Sequence, residues 1–254
     1  MLLFFITVFL GLFVKITFLL ILLGLSVTVR PALAQASHDV AEARALYAQA
    51  NRAPQELALR TNLKAQGSGF FGDGSLQPGA LRTFDGRYRP VPGLRYHAGL
   101  RLLEAQDSIS LDSTHLWPVG SLRGFDLGEP GSGTPPRRFR PRLVKEGSAG
   151  QRREFVEVLT MVDAGPLLLA WLYTSGADAV AGRLSMAPLL LVGAGNNPSE
   201  PLRPLELSRS SVQRLFGNRA EAINAYAMTK QLLYDKPDDV ARMLDYFNRL
   251  AVVK

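Results

Sequence analysis

Between Gln55 and about Leu207 the chain runs in short alternating stretches of apolar and polar residues, cut by Gly, Pro and Asp. A period of two bounded by turn residues specifies strands, and closely spaced turns specify antiparallel pairing. Gly72-Asp73-Gly74, Asp85-Gly86 and the stretch Pro90 to Gly93 each sit between strand-like runs such as ALRTF, RYRPV and LRYHAGLRLL, and are expected as joints. The clearest hairpin is EFVEVLTMVDAGPLLLAWLYT, two β-rich runs around Asp163-Ala164-Gly165-Pro166. Its second run, Leu167 to Tyr173, is apolar on both faces and is expected as a central, covered strand. GEPGSGTPP, Gly128 to Pro136, reads as a surface loop within the same domain, because strand-like sequence resumes directly after it.

The ends read differently. Residues 1–36 form an apolar run closed by small residues at alternate positions, the pattern of an export signal, with cleavage expected near Ala34 or Ala36. The run is longer than a usual signal core and Lys15 interrupts it, so either an uncleaved anchor or a true start at Val14 is an open alternative. HDVAEARALYAQANRAP predicts one short helix over residues 37–54, closed by Pro54. The tail, 208–254, predicts a helical subdomain packed on the β domain. Ser208 caps a short helix, Asn218 and Glu221 form a capping-box-like start to a second, and Pro237 with Asp238 and Asp239 opens a last one. That last helix lines up Val240, Leu244, Phe247 and Ala251 on one face.

Cutting after Ala36 leaves 218 of the 254 residues, enough for one core with an appended subdomain. Lys15 and Arg30 leave with the signal, which lowers the net charge from +7 to +5. The chain has no cysteine, so disulfides, thiolate metal sites and a lipidated cysteine after the signal are excluded.

Gly193-Ala194-Gly195 ends an apolar run, as a dinucleotide loop would. Such a loop needs a helix directly behind it to bind phosphate, and here Asn196-Asn197-Pro198, Pro201 and Pro204 follow. The expected structure is a strand, APLLLVG, and a turn returning through PLRPLEL, and no cofactor is expected. Of the three histidines, His38 lies at the mature terminus. His97 and His115 would have to meet Asp112 in space to do chemistry, and no nucleophile elbow accompanies them. Arg138, Arg140 and Arg142 alternate with Phe139 and Leu143, so as a strand they share one face, expected to be solvated. Used as a binding face, guanidinium forks would suit phosphate or carboxylate. Glu154 and Glu157, three apart, face opposite sides of a strand and do not make an acid-base pair.

The order of these features, from the signal through FDGRYRPVPGLRYHAGLRLLEAQDS, VGSLRGFDL and FVEVLTMVDAGPLLLAWLY to SVQRLFGNRAEAINAYAMTKQLLYDKPDDVARMLDYFNRL, resembles a family of uncharacterised secreted or periplasmic proteins of Bacteroidetes such as Hymenobacter relatives. The matching positions are Gly124-Phe125, Glu157-Val158-Leu159, Leu168 with Tyr173, Leu215-Phe216, Ile223, Asp239-Val240 and Tyr246-Phe247-Asn248. Phe247 stands where that pattern often has a second Tyr. The resemblance covers nearly the whole mature chain and implies a location and an architecture, with no activity attached.

Together these readings predict an α+β protein: an antiparallel β domain, sandwich or half-barrel-like, over residues 55–207, with C-terminal helices. The expected role is non-enzymatic binding or structure in the periplasm or outside the cell. The expected partner is an envelope protein or an anionic envelope polymer, with no nucleic acid and membrane contact only through the signal segment. The alternative is a hydrolase whose site, drawn from His97, Asp112 and His115, forms only in three dimensions.

Overall fold

The computed structural model describes residues 30–66, 69–129, 131–145, 150–161, 165–175 and 186–252. Residues 1–29 of the expected export segment lie outside them. All strands, and the helices that cover them, belong to the compact unit Ala43–Lys254; of the other unit, Met1–Glu42, the described part is the start of helix α1. Among the described residues no helix is long and apolar enough to cross a membrane.

Two helices come first, α1 (Arg30–Ala50) and α2 (Ala53–Ala65). The expected single helix ended by Pro54 is therefore corrected, as is a β domain beginning at residue 55. Pro54 lies in the first turn of α2, where its missing N–H costs nothing, and strands begin only at Gln77.

The strands are β1 (Gln77–Arg82), β2 (Tyr88–His97), β3 (Leu102–Gln106), β4 (Thr114–Pro118), β5 (Gly124–Leu127), β6 (Arg137–Lys145), β7 (Gln151–Val158), β8 (Leu168–Ser175), β9 (Met186–Gly193) and β10 (Arg203–Pro204). They form one open ten-stranded antiparallel sheet in the order β10-β9-β8-β7-β6-β5-β1-β2-β3-β4. Gly72, Gly74 and Gly86 hold the expected turns with positive φ. Pro90 to Gly93 is corrected from a joint to the middle of β2, where that long strand changes partner from β1 to β3.

The connection from β4 to β5 shows that the sheet curls. Laid flat, Pro118 and Gly124 would be separated by four strand spacings, roughly 19 Å, and by most of the length of β2. Six peptide steps reach at most about 20 Å. The chain closes this gap only because β1 to β5 bend round a common interior, and Leu122, fully buried, crosses it. The face turned inward here is aromatic: Leu81, Phe125, Phe139 and Phe155 join Tyr96, Leu94 and Leu103 in one cluster.

A second curl bends the other way. Leu202 donates its N–H to Leu143 O at 2.8 Å and accepts from Lys145 N–H, on the edge of β6, while the next residue, Arg203, pairs with Val192 of β9. Strands three apart in the sheet are thus joined by adjacent residues, around Val144, Val156, Val158, Leu168, Ala170, Leu172, Leu191 and Leu202. By register these side chains share the face of Arg138, Arg140 and Arg142.

Beyond β10 come α3 (Arg209–Arg214), a 3₁₀ turn at Gly217–Arg219, α4 (Ala220–Thr229) and α5 (Pro237–Val252). Ser208 caps α3 as expected, accepting from Ser211 N–H at 3.2 Å. The expected capping box at Asn218 does not form, because the 3₁₀ turn puts Arg219 at the N-cap of α4. Val240 and Leu244 of α5 pack with Val212, Phe216 and Ile223 onto Leu169, Leu190 and Val192, a core that covers the aromatic face of β8 and β9.

Candidate functional site

The three residues proposed for chemistry do not meet. His97↔Leu102 and His115↔Ala105 pair on the same strand β3, and positions 102 and 105 face opposite sides, so the two imidazoles lie on opposite faces of the sheet. His97 is fully buried. Its Nδ1 accepts the Leu100 N–H at 3.0 Å, which leaves Nε2 as the protonated nitrogen donating to Gln66 O at 2.7 Å. Phe70 meets its ring edge-on, and burial holds its pKa below the ordinary histidine value. Asp112 is exposed in the β3–β4 turn. His115 instead pairs with Asp107 at 3.3 Å, beside Tyr47. The side chain of His38 lies outside the described residues.

The arginine strand forms as read, but its face is not solvated. It is the inside of the second curl, so Arg140 and Arg142 are buried. Asp126 binds Arg140 Nη1 through Oδ1 at 2.8 Å and Arg82 through Oδ2. Arg142 donates to Gly195 O at 3.0 Å, fastening the loop behind β9. Arg138 reaches the carbonyls of Met161 and Thr160. Gly193-Ala194-Gly195 accordingly ends β9 as a strand that returns through β10, and a Cβ at Gly193 would stand 2.7 Å from Leu202.

Glu154 and Glu157 do face opposite ways, Glu154 opposite Arg142 and Glu157 opposite Phe139. Glu157 occupies the most distinctive position in the sheet. In the cross-strand row Phe139↔Glu157↔Trp171 it separates Phe139, of the aromatic core, from Trp171, which packs on the helix-covered core. Its carboxylate is gripped by Arg137, Nε to Oε1 and Nη2 to Oε2, both at 2.6 Å. The Tyr173 hydroxyl donates to Oε2 at 2.6 Å and accepts from Arg137 Nη2 at 2.7 Å.

Phe71 roofs this triad, its ring 4.3 Å from the guanidinium carbon and 4.8 Å from the Tyr173 ring. Burial alone would lower the Arg137 pKa; the bonds and charge of Glu157 outweigh it and hold the guanidinium protonated. Burial, then the Glu157 bond, pushes the Tyr173 phenol up, so it stays a donor and cannot act as a base. The triad is charge-balanced and suited to recognition rather than proton transfer. Arg137 is nevertheless 44% exposed, and among the described residues its Nη1 has no hydrogen-bond partner.

Arg137 was available to sequence reading by parity, since it lies on the same face as Phe139 while its neighbours 138, 140 and 142 take the other. The participation of Tyr173 and Phe71, from segments far apart in the chain, had no local signal. Among the described residues no group of three His, Cys, Asp or Glu is placed to hold a metal ion. No protein-family model, no curated protein and no solved structure matches the chain.

Proposed function

We propose that this chain is an exported envelope protein, of the secreted Bacteroidetes kind, that works by binding and not by turnover. The observation that carries the reading is the Arg137–Glu157–Tyr173 triad. It holds a guanidinium by a bidentate carboxylate under the Phe71 ring and beside Tyr173, at the seam of two cores, and leaves one donor edge outward. Rigid, half-exposed arginine among aromatic side chains is the composition of a binding centre, since little entropy is lost when it engages a partner. Arg138, Arg140 and Arg142 pass from contact residues to the internal framework of that surface.

The test is native purification of the tagged mature chain from its own host, after crosslinking intact cells, with mass spectrometry of what is retained. Arg137→Gln is the control. One dominant envelope component lost in that variant supports the reading; retention unchanged by it rejects this surface.

The hydrolase reading keeps one supporting observation, the His115–Asp107 pair beside Tyr47, in which the carboxylate fixes the imidazole as it would for a general base. A turnover by the mature chain that His115→Ala abolishes would favour it over binding.

A further inference from the structure

The ligand class follows from the charge and the surroundings of the same triad, and so rests on the binding reading above. We infer that the seam at Arg137 takes a single-headed anionic amphiphile, a carboxylate or phosphate monoester on an apolar body, with the head on Arg137 Nη1 and the body along Trp171 and Leu159.

Charge sets the head. The Arg137 guanidinium is neutralised by Glu157 in a bidentate pair, so the site projects little long-range field. A polyanion is captured by many uncompensated cations and is released steeply by salt. Here the arginine face that holds several cations is turned into the second curl, with Arg140 on Asp126 and Arg142 on Gly195 O. What remains outward is one pre-oriented N–H edge, which fits one acceptor group and bonds to it at short range.

The surroundings set the body. Phe71 roofs the triad and the buried Phe139 closes it toward the aromatic core, while on the other side lie Trp171 and Leu159, half-buried against the helix-covered core. Along the row Phe139↔Glu157↔Trp171 the only polar member is the carboxylate that holds the head-binding arginine. Phe139 is fully buried, so outward from Arg137 a ligand meets the polar triad first and then Trp171 and Leu159. A molecule that is polar at one end and apolar over the rest matches this order; a free inorganic anion would leave those apolar side chains unused.

The experiment titrates the mature protein with oleate, lysophosphatidic acid, oleyl alcohol and inorganic phosphate, each amphiphile below its aggregation concentration. Calorimetry and tryptophan fluorescence are the readouts. Oleate, lysophosphatidic acid or both are expected to saturate, and which of them does identifies the head. Inorganic phosphate and the alcohol are expected not to. Arg137→Gln should weaken binding about tenfold or more, the scale of one lost charge-assisted bond. If that variant does not fold, Arg137→Lys, which keeps the charge and loses the fork, carries the same expectation.

Trp171→Phe should remove most of the fluorescence change while calorimetric binding persists; a change that survives reports Trp117 and overturns the location. Equal binding of the alcohol, or no effect at Arg137, overturns the head assignment. No saturable amphiphile binding, with an Arg137-dependent component still retained from cells, overturns the ligand class and leaves the binding reading standing. Loss of both overturns the two together.

Discussion

Asn51 stands against Leu116 as a neighbouring strand would. Its Oδ1 accepts the Leu116 N–H at 3.0 Å and its Nδ2 donates to Leu116 O at 2.8 Å, on the outermost strand of the sheet. One side chain thereby blocks the edge most open to pairing with another chain. Asn51→Ala is expected to cost about 1–3 kcal/mol, since it strands both backbone groups, and to raise aggregation on partial unfolding. Urea midpoints and light scattering check it, and Asn51→Asp, which sets a carboxylate oxygen against the carbonyls of Leu116 and Tyr47, should cost at least as much.

His97 makes stability pH-dependent. Its folded pKa lies below its ordinary value, so the unfolded chain binds the proton more readily. The contribution is complete above the unfolded value, about 6.5, and is lost as pH falls below it toward the folded pKa. Chemical denaturation between pH 5 and pH 8 should show this slope, and His97→Gln should flatten it, lowering stability at pH 8 through the lost ring packing and bonds.

Arg140 and Asp126 form a buried pair, each side chain 6% exposed. Arg140→Met leaves the carboxylate with Arg82 alone and should cost about 3–5 kcal/mol. Arg140→Met with Asp126→Leu should recover a large part of that loss. A double-mutant cycle in urea measures it, and simple addition of the two single effects would show that the pair is not coupled.

Gly193→Ala puts a methyl 2.7 Å from Leu202 Cδ2 and 3.4 Å from its Cα. The bridge between β6 and β10 must shift, at a cost of about 1–3 kcal/mol. Leu202→Ala alone removes a fully buried side chain and costs about 2–5 kcal/mol. The two changes together should be less damaging than their sum, as thermal unfolding would show.

The antiparallel fold class, the covered strand β8 and the apolar face of α5 were legible because each rests on a period within one segment. Helix α2 was not, because a proline closes one helix and opens the next equally well, and Pro54 opens α2. The arginine strand was correctly alternating and wrongly faced to solvent: alternation fixes which side chains share a face, while the Leu202 bridge, some sixty residues away in sequence, decides what that face meets. The triad at Glu157 depends on residues from β6, β7, β8 and the turn at Phe71. The pairing of β6, β7 and β8 brings the first three together, and Phe71, whose N–H donates to Tyr96 O on β2, reaches them from the first curl.

The crossing from β4 to β5 makes the two curls inseparable in sequence. β1 finds its second neighbour only when residues 124–127 arrive, and β5 is also the strand on which β6 pairs. A polypeptide emerging from its amino end therefore holds an unfinished first half, with Leu81 and Leu94 still short of their aromatic partners, until β5 follows. Severing the chain between Pro118 and Gly124 would yield two fragments that each lack a shared partner. Such fragments should regain structure only when mixed, so the two curls fold as one cooperative unit.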